Sequence, residues 1–211
     1  ETDFLLGTVP HLPWQMEAAS DETYDIESEL MMLNAAGYLT INSQPAVNGM
    51  PSTDGVYGWG PAGGFVYQKA YVEFFCSQAE FDSLSKMAQR FPAISWMAAR
   101  TGPDAELLSN LPGDQLTVAT AVTWGVFPAR EVVQPTVVDS RAFMIWREEA
   151  FGMWLTSWRA LFSEEENAPA WNFLTSVHDT FYLVTLVDED FQKPTLWKLF
   201  AQIVAQRALH Q

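Results

Sequence analysis

Apolar and polar positions along this chain alternate between two periods. Ile26, Leu30 and Leu33 recur at helical spacing after Thr23, a candidate N-cap, and before Gly37, a natural terminator. With Glu22, Asp25 and Glu27 near the positive end of the macrodipole, they predict a helix over about Tyr24 to Ala36. Tyr38-Leu-Thr-Ile-Asn42 then reads as a short strand, and the aromatic, Val-rich run Phe65 to Phe75 as a second. Ser77-Gln-Ala-Glu80 is a capping box, followed at helical spacing by Phe81, Leu84, Met87, Ala88 and Phe91. Ala93 to Ala99 and Leu116 to Val126 have the composition of strands. Ser140 to Phe162 carries one apolar stripe, Phe143, Trp146, Ala150, Trp154, Trp158 and Leu161, whose ordinary use is core packing. Pro169 opens a helix to about Val177, Phe181 to Val187 is a strand, and Pro194 opens a final amphipathic helix with Arg207 and His210 near its negative end.

The Pro/Gly-rich stretches Pro45 to Gly64 and Thr101 to Gly113 read as loops, and no internal repeat or low-complexity tract divides the chain. Helices and strands do not alternate cleanly, so the expected class is α+β, or a mixed α/β sheet, around one core in a single domain.

Composition adds limits. The 211 residues include nine Trp and fourteen Phe, enough for a core of normal size without covalent staples. The single Cys76 excludes an internal disulfide and a multi-cysteine metal site, which favours a reducing, cytoplasmic setting. No run approaches the roughly 18–20 apolar residues of a membrane span. Eleven basic against 26 acidic side chains give a net charge of −15, which repels phosphate backbones and anionic lipid headgroups and suits cationic or neutral partners. The start at Glu1 rather than Met suggests a piece of something longer.

Candidate chemistry is sparse. Gly58-Trp-Gly60-Pro-Ala-Gly63 has the spacing of a dinucleotide fingerprint, but a loop precedes it, a strand follows it, and Pro61 removes a donor; a turn that lets aromatic strands pack closely fits better. His11, His178 and His210 are the three histidines, and no Gly-x-Ser-x-Gly elbow accompanies them. Glu148-Glu149 and Glu164-Glu165-Glu166 read as solvated helix surface, although a carboxylate pair close in space stays open. There remain hydroxyl and amide residues on strands and turns, Thr40, Asn42 and Ser43 with Gln44-Pro45, and Thr123 and Thr136, which can orient a polar small ligand without transforming it.

Three long runs then become recognisable in order: Leu39-Thr-Ile-Asn-Ser-Gln-Pro45, Gly58-Trp-Gly-Pro-Ala-Gly-Gly-Phe-Val-Tyr-Gln-Lys-Ala-Tyr-Val-Glu-Phe-Phe75, and Ala121-Val-Thr-Trp-Gly-Val-Phe-Pro-Ala-Arg-Glu-Val-Val-Gln-Pro-Thr-Val-Val-Asp139. They closely resemble the C-terminal regulatory domain of eukaryotic methylenetetrahydrofolate reductase. Leu12-Pro-Trp14, Glu149-Ala-Phe151 and Leu183 to Asp190 extend the likeness, and residues 77–120 share only element order. The resemblance implies two side-by-side mixed β-sheets surrounded by helices, dimerisation through this domain, and binding of S-adenosylmethionine, antagonised by S-adenosylhomocysteine. It implies that the ligand inhibits a catalytic (β/α)₈ barrel of the same polypeptide, which uses FAD and NADPH to reduce 5,10-methylenetetrahydrofolate to 5-methyltetrahydrofolate. That barrel is expected to lie outside this chain, which would be an N-terminally truncated regulatory fragment with no catalysis of its own.

The implied ligand residues are Glu22, Thr23, Thr40, Ser43, Thr123 and Thr136, with Gln15, Ser20, Asp21, Ile41 and Asn42 beside them. Read chemically, a helix N-terminus offers N–H groups to the methionyl carboxylate and Glu22 accepts from an ammonium or ribose hydroxyls. Helix capping is the ordinary alternative for Glu22 and Thr23. Two other classes compete with the sensor: a self-association module with no ligand of its own, for which the Trp-rich faces supply apolar surface, and a methyltransferase using the same cofactor.

Overall fold

A computed structural model describes residues 2–6, 8, 21–51, 64–100, 106–110, 124–127 and 180–208, with isolated helical positions at 169, 172–173 and 176–177. The short helix α1 spans Thr2–Leu5, α2 Glu27–Ala35, α3 Gln78–Ala88 and α4 Leu196–Ala208. The strands are β1 Leu39–Gln44, β2 Val47–Pro51, β3 Phe65–Gln68, β4 Tyr71–Cys76, β5 Ile94–Arg100, β6 Glu106–Ser109, β7 Trp124–Phe127 and β8 Tyr182–Asp188. The expected helix over Ser140 to Phe162, the Gly58 to Gly63 turn, the first part of the expected Leu116 strand and all three histidines lie outside the described residues.

Two open sheets form, ordered β1-β4-β8-β5-β6 and β2-β3-β7. The expected α+β class therefore holds, while every described ladder is antiparallel where mixed sheets were expected. The reason lies in one bend. Phe65 to Phe75, expected as one strand, is two: β3 ends at Gln68, Lys69-Ala70 crosses between sheets, and β4 starts at Tyr71. Alongside it, β1 crosses in the opposite sense through Pro45-Ala46 into β2. A single antiparallel ribbon, β1-β2 against β4-β3, thus belongs half to each sheet. The supposed loops Pro45 to Gly64 and Thr101 to Gly113 contain β2 and β6, because pairing with a neighbour outweighs local Pro and Gly signals.

Helix α2 also begins differently from the expectation. Asp21–Ile26 is a 3₁₀ turn, and the residue preceding α2 is Ile26, whose side chain makes no cap. At the other end Gly37 adopts φ +91°, which lets the Tyr38 N–H return to the Leu33 carbonyl at 3.1 Å. The capping box of α3 forms as the sequence requires: the Ser77 hydroxyl accepts from the Glu80 N–H, and the Glu80 carboxylate accepts from the Ser77 N–H at 2.8 Å.

The core lies between the five-stranded sheet and helices α2, α3 and α4. Phe74 is fully buried at its centre, edge-on to Tyr38 and Phe200 with ring centroids 5.3 and 5.7 Å away. Phe81 of α3 stacks on Tyr182 of β8 at 4.8 Å. Arg207 in the last turn of α4 reaches both the Ala36 carbonyl and the Glu80 carboxylate, tying three helix ends together.

Asp188 closes the sheet against α4. Its fully buried carboxylate accepts from the N–H groups of Asp190, Thr195 and Leu196, the last at 2.8 Å, and so caps the helix from a neighbouring strand. Burial pushes its carboxyl above the ordinary range, and the N–H donors draw it back. Asp188→Ala strands three N–H groups and is expected to cost about 2–3 kcal/mol, read as a lowered urea midpoint with unchanged slope.

Candidate functional site

A bulge in β1 organises the expected ligand residues. Thr40 pairs with Phe74 and Asn42 with Glu73, so Ile41 is an extra residue on one strand. In a regular strand Thr40 and Ser43, three apart, face opposite ways; the inserted residue puts them on one face, opposite Phe74 and Val72. This is the face covered by α2: Asn34 Nδ2 donates to Thr40 Oγ1 at 2.7 Å, and Asn34 Oδ1 accepts from the Thr40 N–H. Thr40 is buried and, among the described residues, its hydroxyl only accepts, whereas Ser43 is half-buried.

Asp21, Glu22 and Thr23 lie on the 3₁₀ turn, which packs against β1 and leads into α2. Asp21 is exposed; Glu22 and Thr23 are half-buried. The Glu22 carboxylate accepts from Gln68 Nε2 at 3.3 Å. Burial pushes its carboxyl above the usual value, the Gln68 N–H pulls it down, and the neighbouring Asp25 pushes it up. The structure thus brings Glu22, Thr23, Thr40 and Ser43 to β1 and its covering turn.

The bulge turns Asn42 away from Thr40 and Ser43, onto the other face of the sheet, where its partner Tyr71 feels the Glu22 charge. There Asn42 Nδ2 donates to Glu73 Oε2 at 3.3 Å, Tyr71 OH donates to Asn42 Oδ1 at 3.1 Å, and Thr185 Oγ1 donates to Glu73 Oε1 at 3.1 Å. Glu73 and Thr185 are buried, and burial beside carboxylates pushes the Tyr71 phenol well up. Ile41, the extra residue of the bulge, packs against the core. Gln15, Ser20, Thr123 and Thr136 lie outside the described residues; Trp124, next after Thr123 in sequence, is the register partner of Gln68.

Of the two junction glutamines, Gln44 stood among the amide candidates and sequence reasoning missed Gln68. Gln44 Nε2 donates to the Lys69 carbonyl at 2.8 Å and Gln68 Nε2 to the Pro45 carbonyl at 2.7 Å, each replacing a ladder bond lost where the ribbon changes sheets. Lys69 is buried there, with its ammonium 2.6 Å from Glu189. The signal available was Gln68-Lys69, a polar pair interrupting an otherwise apolar run. Among the described residues no group of three or more His, Cys, Asp or Glu is placed to hold a metal ion, and no helix is long and apolar enough to cross a membrane. Cys76 is buried, which pushes its thiol well up and keeps it protonated.

These features define an α+β domain whose two antiparallel sheets meet at a polar junction beside a hydroxyl-bearing strand. Residues 6–208 match the family described as the SAM-binding regulatory domain of MTHFR, methylenetetrahydrofolate reductase, and the chain belongs to that family. Among its relatives are a probable methylenetetrahydrofolate reductase (NADH) of Oryza sativa subsp. japonica, 43% identical over 202 residues, and methylenetetrahydrofolate reductase (NADH) 1 of Zea mays, 42% identical over 200. A probable methylenetetrahydrofolate reductase (NADPH) of Caenorhabditis elegans is 42% identical over 204 residues. These alignments cover 95%, 94% and 95% of this chain but only 33%, 32% and 29% of the relatives, so the chain spans about a third of their length.

Proposed function

We propose that this chain is the S-adenosylmethionine sensor of a methylenetetrahydrofolate reductase. Ligand binding here inhibits reduction of 5,10-methylenetetrahydrofolate to 5-methyltetrahydrofolate by a flavin-dependent catalytic domain of the same polypeptide, acting in the cytoplasm as a homodimer. S-adenosylhomocysteine competes for the same site. The electron donor belongs to the catalytic domain; NADH stands in the names of the plant relatives and NADPH in that of the nematode one. The observation that carries the reading is the regulatory-domain match across residues 6–208.

The geometry supports it chemically. The ligand sites proposed are Glu22, Thr23, Thr40 and Ser43, completed by Thr123 and Thr136. S-adenosylmethionine carries a carboxylate, an ammonium and a sulfonium and is a net cation, which a chain of net charge −15 attracts. The demethylated product lacks the sulfonium and loses that attraction. Glu22 accepts from the ammonium or ribose hydroxyls, the hydroxyls of Thr40 and Ser43 donate from one face, and N–H groups of the turn meet the carboxylate.

Titration calorimetry tests this. Saturable binding of S-adenosylmethionine, displaced by S-adenosylhomocysteine and without methyl transfer, is expected. Formation of S-adenosylhomocysteine during incubation would revive the methyltransferase, and a ligand-indifferent dimer in sedimentation would favour the self-association module.

A further inference from the structure

The two junction glutamines are not equivalent. Both restore a backbone bond where the ribbon changes sheets, Gln44 to the Lys69 carbonyl and Gln68 to the Pro45 carbonyl. Among the described residues, Gln68 has a second acceptor and Gln44 does not: the Glu22 carboxylate, at 3.3 Å. A clamp on the junction needs only the 2.7 Å bond to Pro45. That bond, made by a buried carboxamide to a carbonyl preceding the next strand, fixes the amide plane and directs its second N–H at Glu22.

We propose that Gln68 is a positioning residue of the ligand site, orienting the Glu22 carboxylate toward the ammonium or ribose hydroxyls of an S-adenosyl ligand; this rests on the assignment of Glu22 made above. Gln68 touches no ligand and acts through Glu22. Among the described residues, the groups facing that carboxylate are Asp25 on its own turn, whose charge disfavours ionisation, the neutral Tyr71 phenol of β4, and Gln68 of β3, which favours it. Removing the Gln68 N–H leaves burial and Asp25 unopposed, so Glu22 takes up its proton at a higher pH. A protonated Glu22 is a poorer acceptor, and affinity falls as pH drops through its titration, by at most tenfold per pH unit.

The test measures S-adenosylmethionine affinity of the chain and of the Q68M and E22Q variants between pH 5 and 7, below the ligand's α-amino titration at about 7.7–8.0. The expected result is a fall toward low pH in the unaltered chain. Q68M moves that fall to higher pH and weakens binding at pH 7 by about three- to tenfold, in keeping with the ordinary net worth of one protein hydrogen bond. E22Q leaves the Gln68–Pro45 bond in place, weakens binding and flattens the profile. An unshifted profile and unchanged affinity in Q68M overturn the positioning role, with Glu22 still a ligand residue if E22Q binds weakly. Unaltered binding by E22Q removes Glu22 from the site and the proposal with it. If Q68M does not fold, the side-chain amide resonances of Gln68 in the unaltered chain decide: they titrate with the midpoint of ligand affinity, and pH-independent resonances overturn the proposal.

Discussion

Phe74→Ala is expected to lower the stability of this domain by about 3–5 kcal/mol, the usual range for deleting a buried phenylalanine. Phe74 is fully buried in β4, the second strand of the five-stranded sheet, with Tyr38 edge-on from the end of α2 and Phe200 edge-on from α4. Its ring is the point at which sheet and two helices meet, so truncation leaves a cavity that three separate elements would have to collapse to fill. Two aromatic pairs, each worth about 0.5–1.5 kcal/mol beyond area burial, disappear with it. Chemical denaturation of the variant reads the loss directly. A change below about 1 kcal/mol would mean that Phe74 does not hold these elements together. Because Phe74 is also the register partner of Thr40, the same variant is expected to loosen the strand that carries the proposed ligand hydroxyls.

The second large effect is on binding. Thr40→Val with Ser43→Ala removes both hydroxyls from the shared face of β1, and at about 0.5–1.5 kcal/mol per hydrogen bond this weakens S-adenosylmethionine binding by roughly 5- to 150-fold. The two positions are separable. Thr40 also accepts from Asn34, so its substitution costs stability as well as affinity; Asn34 Nδ2 keeps its bond to the Leu30 carbonyl at 2.8 Å. Among the described residues half-buried Ser43 makes no side-chain hydrogen bond, so Ser43→Ala is expected to change affinity while leaving the unfolding midpoint of the free chain in place. Calorimetric affinities compared with ligand-free unfolding midpoints separate these effects. Unchanged affinity in the folded double variant would remove this face of β1 from the site.

What the sequence made legible is what local chemistry decides. Ser77 and Glu80 state a helix start in four residues, Gly37 states a helix end because its φ is positive, and Tyr182–Asp188 is apolar enough to be a buried strand from pattern alone. The division of Phe65 to Phe75 between two sheets was not legible, since both halves share one composition and the bend is set by the partner ribbon crossing through Pro45-Ala46. Strands β2 and β6 were hidden for the same reason: their Gly, Pro and Asn neighbours signal loops, and only pairing makes them strands. The candidate site shows this split most clearly. Thr40, Ser43, Glu22 and Thr23 could be named from the resemblance, but the alignment of Thr40 with Ser43 depends on a bulge at Ile41 that no residue of β1 announces. Period-two reasoning applied to the same strand would have placed Thr40 with Asn42 and set Ser43 apart. Gln68 escaped because its partners, Pro45 and Glu22, lie 23 and 46 positions away.

Thermal unfolding of the chain with and without S-adenosylmethionine tests the central claim most directly. A ligand at about 100 times its dissociation constant adds about 2.7 kcal/mol to stability. For a domain of this size that is on the order of 5–10 °C in Tm. The sensor account predicts such a rise, saturating with ligand concentration and smaller with S-adenosylhomocysteine, which lacks the sulfonium charge. An unfolding midpoint indifferent to either ligand at millimolar concentration would contradict it and leave self-association as the better description of what this chain does.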